Sequence, residues 1–351
     1  MHHSKMNPEV RRLIAEGTVI PAHPLALNAD RSLDTVHQRA LTRYYIDAGA
    51  GGLAVGVHTT QFAIRDAGLY KPVLELAAET AAAWTSRPLA MVAGLVGPTR
   101  QAIAEAKTAR AIGYHAGLLS LAAMKSASEH EIVLHCEAVA REIPLVGFYL
   151  QPAVGGVILS ADFWRRFAAI DNVIAIKIAP FNRYRTLDVL RGVAAAGALE
   201  RVAFYTGNDD HILLDLTLPF DLRDKGVATR VHIRGGLLGH WSVWTASAVL
   251  QFESCRAARG ADSLPAHLLA LDARVTDCNS AFFDAANNFH GCIAGCHEIL
   301  QRQGLMQGIW CLDPSEGLSR GQIDEIDRVC REHADLADDA FVAAHLQKWL
   351  A

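Results

Sequence analysis

The chain has 351 residues, of which 51% are hydrophobic and 20% are charged, and its formal net charge is −4 at pH 7. This balance offers no basic surface for nucleic acid or an anionic membrane, and no apolar run approaches the roughly 18 residues of a membrane span. The seven cysteines are too few and odd in number for a secreted disulfide framework. No signal-peptide pattern opens the sequence, so we expect a reduced, cytoplasmic protein.

Apolar, strand-like runs alternate with helix-like patterns as far as about residue 260. The predicted strands are 18–22, 52–57, 89–95, 116–121, 145–150, 173–178, 201–206 and 231–238. The predicted helices are 34–48, 69–86, 99–112, 127–142, 160–170, 184–197, 209–216 and 242–259. Eight strand–helix units over roughly 250 residues predict an α/β fold of the closed (β/α)8 TIM-barrel type. An open doubly wound sheet is the alternative, but no Gly-x-Gly-x-x-Gly loop follows an early strand.

The alternation stops near residue 264, and three helical stretches follow at 264–284, 289–303 and 319–333. We interpret them as a helical extension that packs on the barrel. The predicted division is therefore an N-terminal segment (1–16), a barrel (17–262) and a C-terminal helical extension (263–351). The polar segment 218–229, between the seventh and eighth strands, is longer than a usual loop and is expected to be a surface excursion.

The sixth predicted strand contains a single lysine, Lys177, at the end of the apolar run Asn172-Val-Ile-Ala-Ile-Lys. A buried ammonium group is costly unless it is paired or its pKa falls towards neutrality. A lysine with a lowered pKa is nucleophilic and condenses with a carbonyl group to form a Schiff base. Alternatively, Lys177 reaches water at the end of the strand and stays charged. The position alone leaves both interpretations open.

The carboxyl ends of the predicted strands, where a TIM barrel places its site, carry further polar residues. We predict Tyr149 as a proton relay because strands five and six are neighbours; the alternative is a core aromatic residue with a satisfied hydroxyl group. Thr59 and Thr60 can donate hydrogen bonds to a substrate carboxylate, or they form an ordinary turn. The predicted substrate-binding residues are Thr59, Thr60, His58, Gly207, Asn208 and His240.

Several of these polar residues have a second interpretation. His58 and His240 are either contacts to a second substrate or buried neutral histidines. The adjacent carboxylates of Asp209 and Asp210 can ligate a cation, but such pairs more often cap the following helix. Cys292 and Cys296 share a helix face, yet the neighbouring histidines point elsewhere, so we predict neither a metal site nor a cofactor.

The arrangement of Lys177 and Tyr149 resembles the dihydrodipicolinate synthase/N-acetylneuraminate lyase family. Tyr149 lies 28 residues before Lys177 and three before Pro152, in Tyr-Leu-Gln-Pro, as in the family. The family pattern also matches at residues 49–57, at residues 91–95 and at Gly207. The resemblance covers roughly residues 17–305. It implies a Schiff-base-forming (β/α)8 enzyme with pyruvate or another 2-oxo acid on the lysine, a tyrosine proton relay and, usually, a homotetramer.

The sequence also departs from the family at three places. Where the family has the loop Gly-Thr-Thr-Gly-Glu, this chain has Val57-His58-Thr59-Thr60-Gln61. In an alignment without gaps, Thr59 takes the place of the second threonine of the family, which binds the carboxylate. A shift of one residue would instead align Thr59-Thr60 with the two threonines. The tyrosine that reaches into a neighbouring subunit of the synthases is absent from 121–124, and their aldehyde-binding arginine is replaced by Val154. These departures argue against true dihydrodipicolinate synthase activity.

We therefore predict a class I aldolase-type lyase that makes or breaks a carbon–carbon bond of pyruvate or another 2-oxo acid. In this interpretation Lys177 forms the Schiff base, Tyr149 relays protons and Thr59 holds the carboxylate. The second-substrate pocket has no charged anchor, which favours a less anionic or partly apolar partner; it would include Val154, His58, His240 and Trp241. A sugar-acid dehydratase of the same family and a non-catalytic metabolite-binding barrel are the alternatives. The expected assembly is a homo-oligomer, either a dimer or a tetramer.

Overall fold

The computed structural model describes residues 1–224, 227–261 and 263–351. An 8-stranded parallel sheet curls into a nearly closed barrel with helices around it, which confirms the predicted (β/α)8 fold. The order of the strands around the barrel is β1-β10-β7-β6-β5-β4-β3-β2. The strands are β1 (Val19–Pro21), β2 (Gly52–Val55), β3 (Ala90–Leu95), β4 (Ala116–Leu119), β5 (Leu145–Leu150), β6 (Val173–Ala179), β7 (Ala203–Thr206), β8 (Phe220–Asp224), β9 (Val227–Val231) and β10 (Gly235–Leu238).

Helices α2 to α9 follow the barrel strands, and α10 to α13 form the C-terminal extension. Side chains cap several helix starts: the Asp34 carboxylate accepts the N–H of Val36 at 3.1 Å at the start of α2, and the Ser160 hydroxyl group accepts the N–H of Phe163 at 3.1 Å at the start of α6. The helices are α1 (Pro8–Glu16), α2 (Thr35–Asp47), α3 (Tyr70–Trp84), α4 (Thr99–Ile112), α5 (Glu129–Ala140), α6 (Ala161–Ala169), α7 (Arg183–Ala195), α8 (Ile212–Thr217), α9 (Thr245–Ala258), α10 (Ala266–Phe282), α11 (Cys292–Arg302), α12 (Gln322–Glu332) and α13 (Asp339–Leu350).

The barrel strands are buried on both faces, which explains why they read as almost continuous apolar runs. Inside the barrel, Val146, Phe148 and Ile174 belong to one apolar cluster. Between the barrel and its helices, Tyr149 and Ile178 belong to a second, larger cluster. Successive residues of a strand therefore alternate between two apolar surroundings, and hydrophobicity alone does not reveal which face a residue occupies.

Helix α1 closes the amino-terminal end of the barrel. Val10 and Ile14 pack into the inner cluster, and the Tyr205 hydroxyl group donates a hydrogen bond of 2.8 Å to the Ile14 carbonyl. The sequence analysis left residues 1–16 as a segment without assigned structure. The opposite, carboxyl-terminal end of the barrel is thereby left as the face at which a ligand can enter.

The described part of segment 218–229, expected to be a surface excursion, belongs to a two-stranded hairpin. Strands β8 and β9 pair antiparallel, with Phe220 opposite Val231. Leu222 and Val231 are each only 7% exposed and join the outer cluster. Asp221 and Arg223, on either side of Leu222, are exposed, so the segment has a polar composition even though its inward residues are apolar.

The last helix, α13, returns the chain to the first helix of the barrel. The Trp349 ring packs 5.4 Å from that of Tyr44, and its Nε1 donates to the Asp47 carboxylate at 2.9 Å. The Tyr44 hydroxyl group donates to Asp338, just before α13, at 2.8 Å. No helix in the described part of the chain combines the length and the apolar character that crossing a membrane requires.

Candidate active site

A cavity lies at the carboxyl-terminal end of the barrel, the end at which TIM barrels carry their active sites. Its walls are mainly apolar. Strand ends and the loops that follow them supply one side, including Ala22, Val57, Leu118, Phe148, Lys177 and Gly207. The C-terminal extension covers the other side with Phe283, Phe289, Cys292, Ile293 and Cys296.

Lys177 extends from β6 into this cavity. It is only 9% exposed, and its Nζ atom lies 4.5 Å from the centroid of the Phe148 ring. Burial lowers the pKa of Lys177 from 10.5 to about 8, although the negative charge of Asp209 opposes this shift. A lysine with this pKa has roughly 300 times more neutral amine at pH 7 than an ordinary one. Lys177 therefore meets the chemical requirement for a nucleophilic amine.

Gly207, at the end of β7, makes room for the Lys177 side chain. A Cβ atom at this position would lie 2.5 Å from Cε and 3.0 Å from Cγ of Lys177. Its backbone N–H donates to the Ile178 carbonyl at 2.7 Å, so the glycine cannot move away without breaking a strand contact. Gly207, predicted to bind substrate, lines the cavity and leaves space for the lysine.

The carboxylate of Asp209 lines the same cavity. From the sequence, Asp209 was expected only as a cation ligand or a helix cap. Its side chain accepts the backbone N–H of His240 at 3.1 Å. Protein atoms surround the carboxyl group, and this burial raises its pKa to about 7, against the opposing charge of Lys177. Its position after a barrel strand was visible in the sequence, but its proximity to Lys177 was not. A carboxyl group with this pKa can both donate and accept a proton near neutral pH.

Tyr149 lies outside the cavity, which corrects its predicted role as a proton relay. Its ring packs 5.1 Å from that of Trp164, in the layer between barrel and helices. Its hydroxyl group donates to the Leu159 carbonyl at 3.2 Å and accepts the Leu159 N–H at 3.3 Å. The hydroxyl group is therefore engaged on the side of the strand away from Lys177, as in the alternative interpretation of a core aromatic residue.

The two threonines of the loop after β2 occupy different places. Thr59 lines the cavity. The Thr60 hydroxyl group is used inside the protein: it donates to the His23 carbonyl at 2.6 Å and accepts the Gly56 N–H at 2.9 Å. Thr59 is consequently the available donor for a substrate, while Thr60 holds the loop.

The two predicted histidines also differ. His58 lines the cavity, and burial together with the Lys177 charge lowers its pKa to about 4, so its ring is neutral at pH 7. The side chain of His240 is buried against Phe282, with ring centroids 6.3 Å apart, and it does not line the cavity. His240 contributes its backbone N–H to Asp209 instead of a side-chain contact to substrate.

Asn208 supports the cavity wall from behind. Its Nδ2 donates to the buried Asp215 carboxylate at 2.9 Å, and its Oδ1 accepts the backbone N–H of Phe181 at 3.0 Å. The predicted direct contact between Asn208 and substrate is therefore replaced by a positioning role. Trp241 is likewise buried away from the cavity, whereas Val154 lines it.

Cys292 and Cys296 lie on one face of α11, and both line the cavity. Burial raises the pKa of the Cys292 thiol to about 12 and that of Cys296 even higher, so both are protonated. The nearby His297 directs Nδ1 towards the Ile309 carbonyl at 3.4 Å. The two thiols therefore act as small, nearly apolar wall groups.

Comparison with known proteins identifies the family of this barrel. The sequence model of the dihydrodipicolinate synthetase family matches residues 16–221, more than half of the chain. The chain belongs to the dihydrodipicolinate synthetase family. The match includes Lys177 on β6 and Thr59 on the loop after β2, and membership supports lyase or aldolase chemistry. A search of the curated proteins finds no match to the chain.

Solved structures share the fold over nearly their whole length. Dihydrodipicolinate synthase from Oceanobacillus iheyensis has a TM-score of 0.75 at 16% identity and covers 93% of this chain and 99% of its own. YagE, a prophage protein of the same family from E. coli K12 in complex with pyruvate, has a TM-score of 0.73 at 18% identity, covering 90% and 98%. CdNal from Clostridium difficile, in complex with mannosamine, has a TM-score of 0.72 at 15% identity with the same coverage. At these identities the likeness concerns the fold.

Proposed function

We propose that this protein is a Schiff-base-forming lyase of the aldolase type that acts on pyruvate or another 2-oxo acid. The observation that carries the proposal is the buried Lys177 amine, which shares a mainly apolar cavity with the carboxyl group of Asp209. Family membership supports the class of reaction. The pyruvate found in the YagE structure supports the class of substrate.

The reaction begins with attack of the neutral Lys177 amine on the C2 carbonyl of the 2-oxo acid. The resulting carbinolamine loses one water molecule and becomes an imine, which is protonated on nitrogen. This cation withdraws electrons from C2, so that a C3–H proton leaves and an enamine forms. Attack of C3 on an aldehyde makes a carbon–carbon bond, and the reverse sequence breaks one. No electrons are gained or lost overall.

Asp209 is the group that we assign to the proton transfers. Protonated, it supplies the proton that carbinolamine dehydration needs; ionised, it accepts the C3 proton. A pKa of about 7 allows both roles at neutral pH. The His240 N–H fixes one carboxylate oxygen in place. Asp209 and Lys177 line the same cavity, and the charge of each shifts the pKa of the other.

Thr59 is assigned to the carboxylate of the 2-oxo acid. It lines the cavity on the loop after β2, whose shape is fixed by the hydroxyl group of Thr60. A hydroxyl donor at a fixed position can orient the carboxylate and so present C2 to the amine. The neutral ring of His58 is the next group along this loop and offers one further polar contact.

Borohydride trapping tests the proposal. Incubation with pyruvate and then sodium borohydride should increase the protein mass by one reduced pyruvate adduct, and peptide mapping should place it on Lys177. Lys177→Ala should show no adduct, whereas the exposed Lys71→Ala should react as the wild type does. Absence of an adduct with pyruvate and with a panel of other 2-oxo acids would leave only the non-catalytic barrel. An adduct on another lysine would refute the assignment of Lys177.

A further inference from the structure

Phe181 and Phe289 form one wall of the cavity. Phe181 follows β6, and Phe289 precedes α11; their rings pack edge to face with centroids 5.9 Å apart. Both residues line the cavity that contains Lys177. They are distant in sequence, so the barrel and its C-terminal extension meet at this ring pair.

Both phenylalanines have a backbone conformation that bulky residues rarely adopt. The φ angle is +47° at Phe181 and +66° at Phe289, in the left-handed region that favours glycine. Such strain persists only where the surroundings enforce it, and it concentrates at functional sites. A glycine or asparagine would relieve it at either position but would remove the ring.

The surroundings of the two residues hold this conformation. The Phe181 N–H donates to the side chain of Asn208 at 3.0 Å, and Asn208 is in turn held by Asp215. The Phe289 N–H donates to the Asp284 carbonyl at 3.0 Å, and the Asp284 carboxylate accepts the Gly291 N–H at 2.9 Å. Separate hydrogen-bond networks therefore fix each ring against the other.

The charges of the cavity restrict its second ligand. Among the described residues that line it, the charged side chains are Lys177, whose nitrogen is neutral once the enamine has formed, and Asp209, which is an anion when ionised. His58 is neutral at pH 7. A second carboxylate or a phosphate on the partner would meet no cation here and would be repelled by Asp209.

The hydrogen-bonding groups of the wall are also few. Apart from those already assigned, Gln151 is the polar side chain of the lining, and the wall beside it is apolar, with Leu150 and Val154. A polyhydroxylated sugar would leave most of its hydroxyl groups without partners on such a surface. Apolar groups, by contrast, gain from contact with aromatic rings.

We propose that the partner of the 2-oxo acid is an uncharged aldehyde with an aromatic or branched apolar group, which packs against the Phe181–Phe289 pair. This inference rests on the proposed function. The enamine C3 bonds to the aldehyde carbon, and the aldehyde oxygen takes the proton from Asp209. One water molecule then hydrolyses the imine, which frees Lys177 and releases a 4-hydroxy-2-oxo acid.

The experiment measures kcat/KM for condensation of pyruvate with four aldehydes: benzaldehyde, isobutyraldehyde, glyceraldehyde and aspartate semialdehyde. We expect the two apolar aldehydes to exceed the other two by at least about tenfold, the discrimination that apolar pockets commonly reach. Phe289→Leu should lower the value for benzaldehyde by about tenfold, with a smaller effect on isobutyraldehyde. The exposed Tyr184→Ala is the control and should match the wild type.

Borohydride trapping with pyruvate alone separates the two proposals. A trapped adduct together with a preference for glyceraldehyde or aspartate semialdehyde would overturn the apolar partner and leave the Schiff-base function intact. An equal effect of Phe289→Leu on all four aldehydes would also overturn it. Loss of folding in Phe289→Leu would be seen in its circular dichroism, and Phe181→Leu then provides the same comparison. Failure to trap any 2-oxo acid would overturn the function and this inference together.

Discussion

Phe148 and Lys177 are direct neighbours in the parallel pairing of β5 with β6, and the lysine Nζ lies 4.5 Å from the ring centroid. The pairing begins with Leu145 beside Val173, an offset of 28 residues. An irregularity between Leu145 and Val146 then places Val146 beside Ala175, and the offset becomes 29. Without this irregularity Tyr149 would stand beside Lys177; with it, Phe148 takes that place.

This register leads to the first prediction, on Tyr149→Phe. Because the hydroxyl group bonds only to the Leu159 backbone, its removal should change the rate of imine trapping less than threefold. The free energy of unfolding should fall by about 1 kcal/mol, the usual contribution of such hydrogen bonds. Trapping kinetics and urea unfolding give the two values. A loss of activity of about a hundredfold or more would support the hypothesis that Tyr149 relays protons.

Asp209→Asn, unlike Tyr149→Phe, should lower the activity strongly without lowering the stability. The change keeps the shape of the side chain and the hydrogen bond from His240, but it removes the group that transfers protons. We expect kcat to fall by roughly 10² to 10⁴, the range for a positioned acid or base. The unfolding midpoint should stay the same or rise, because a buried carboxyl group is replaced by a neutral one. A kcat within threefold of the wild type would exclude Asp209 from the chemistry.

The error over Tyr149 shows what the sequence could and could not reveal. The strand bounds of β5 were predicted as observed, and Lys177 was placed correctly at the end of β6. Both strands are buried on both faces, so an apolar run carries no alternation that tells Phe148 from Tyr149. A shift of one residue reverses the two, and the sequence holds no signal for it.

The position of the C-terminal residues that cover the cavity could not be predicted from the sequence, for a different reason. Helices were predicted at 264–284 and 289–303, but the contact of residues 283–296 with the barrel mouth is a tertiary contact without a local pattern. Asp209 was seen at the correct strand end, yet its raised pKa arises from protein that comes from other parts of the chain. Lys177 could be chosen because it was the single charge in an apolar run.

Gly207 leaves space that the Lys177 side chain occupies. In Gly207→Ala the new Cβ would lie 2.5 Å from Cε of Lys177, so the lysine side chain must move. We expect trapping with pyruvate to slow at least tenfold and the free energy of unfolding to fall by about 1–3 kcal/mol, as in other overpacked sites. Gly317→Ala is the matched control, since no heavy atom lies within 4 Å of its added Cβ. Equal trapping rates in the two variants would contradict the spacing argument.

The contact between α13 and α2 gives a prediction about stability. Trp349 is fully buried against Tyr44 and bonds to Asp47. Trp349→Ala should lower the free energy of unfolding by about 3–5 kcal/mol, the usual cost of removing a buried aromatic side chain. Guanidinium unfolding measures this loss, and Tyr184→Ala, at an 81% exposed site, should change it by less than about 0.5 kcal/mol. A small loss in Trp349→Ala would mean that α13 docks weakly.

The pH dependence of imine formation tests the site as a unit. Attack needs Lys177 without its proton, and dehydration needs Asp209 with its proton. With pKa values of about 8 and about 7, this combination of protonation states is a minority at every pH, and it is most populated midway between them. The trapping rate should therefore rise with pH up to about 7, stay nearly level and fall above about 8.

Replacing Asp209 changes the shape of this profile as well as its height. In Asp209→Asn only the lysine titrates, so the trapping rate should rise with pH, follow the Lys177 pKa and level off without a falling limb. That pKa should itself decrease, because the carboxylate charge that stabilised the ammonium is gone. Initial rates of adduct formation between pH 5 and 10, followed by mass, give both curves. A falling limb that persists in Asp209→Asn would assign the acid to another group.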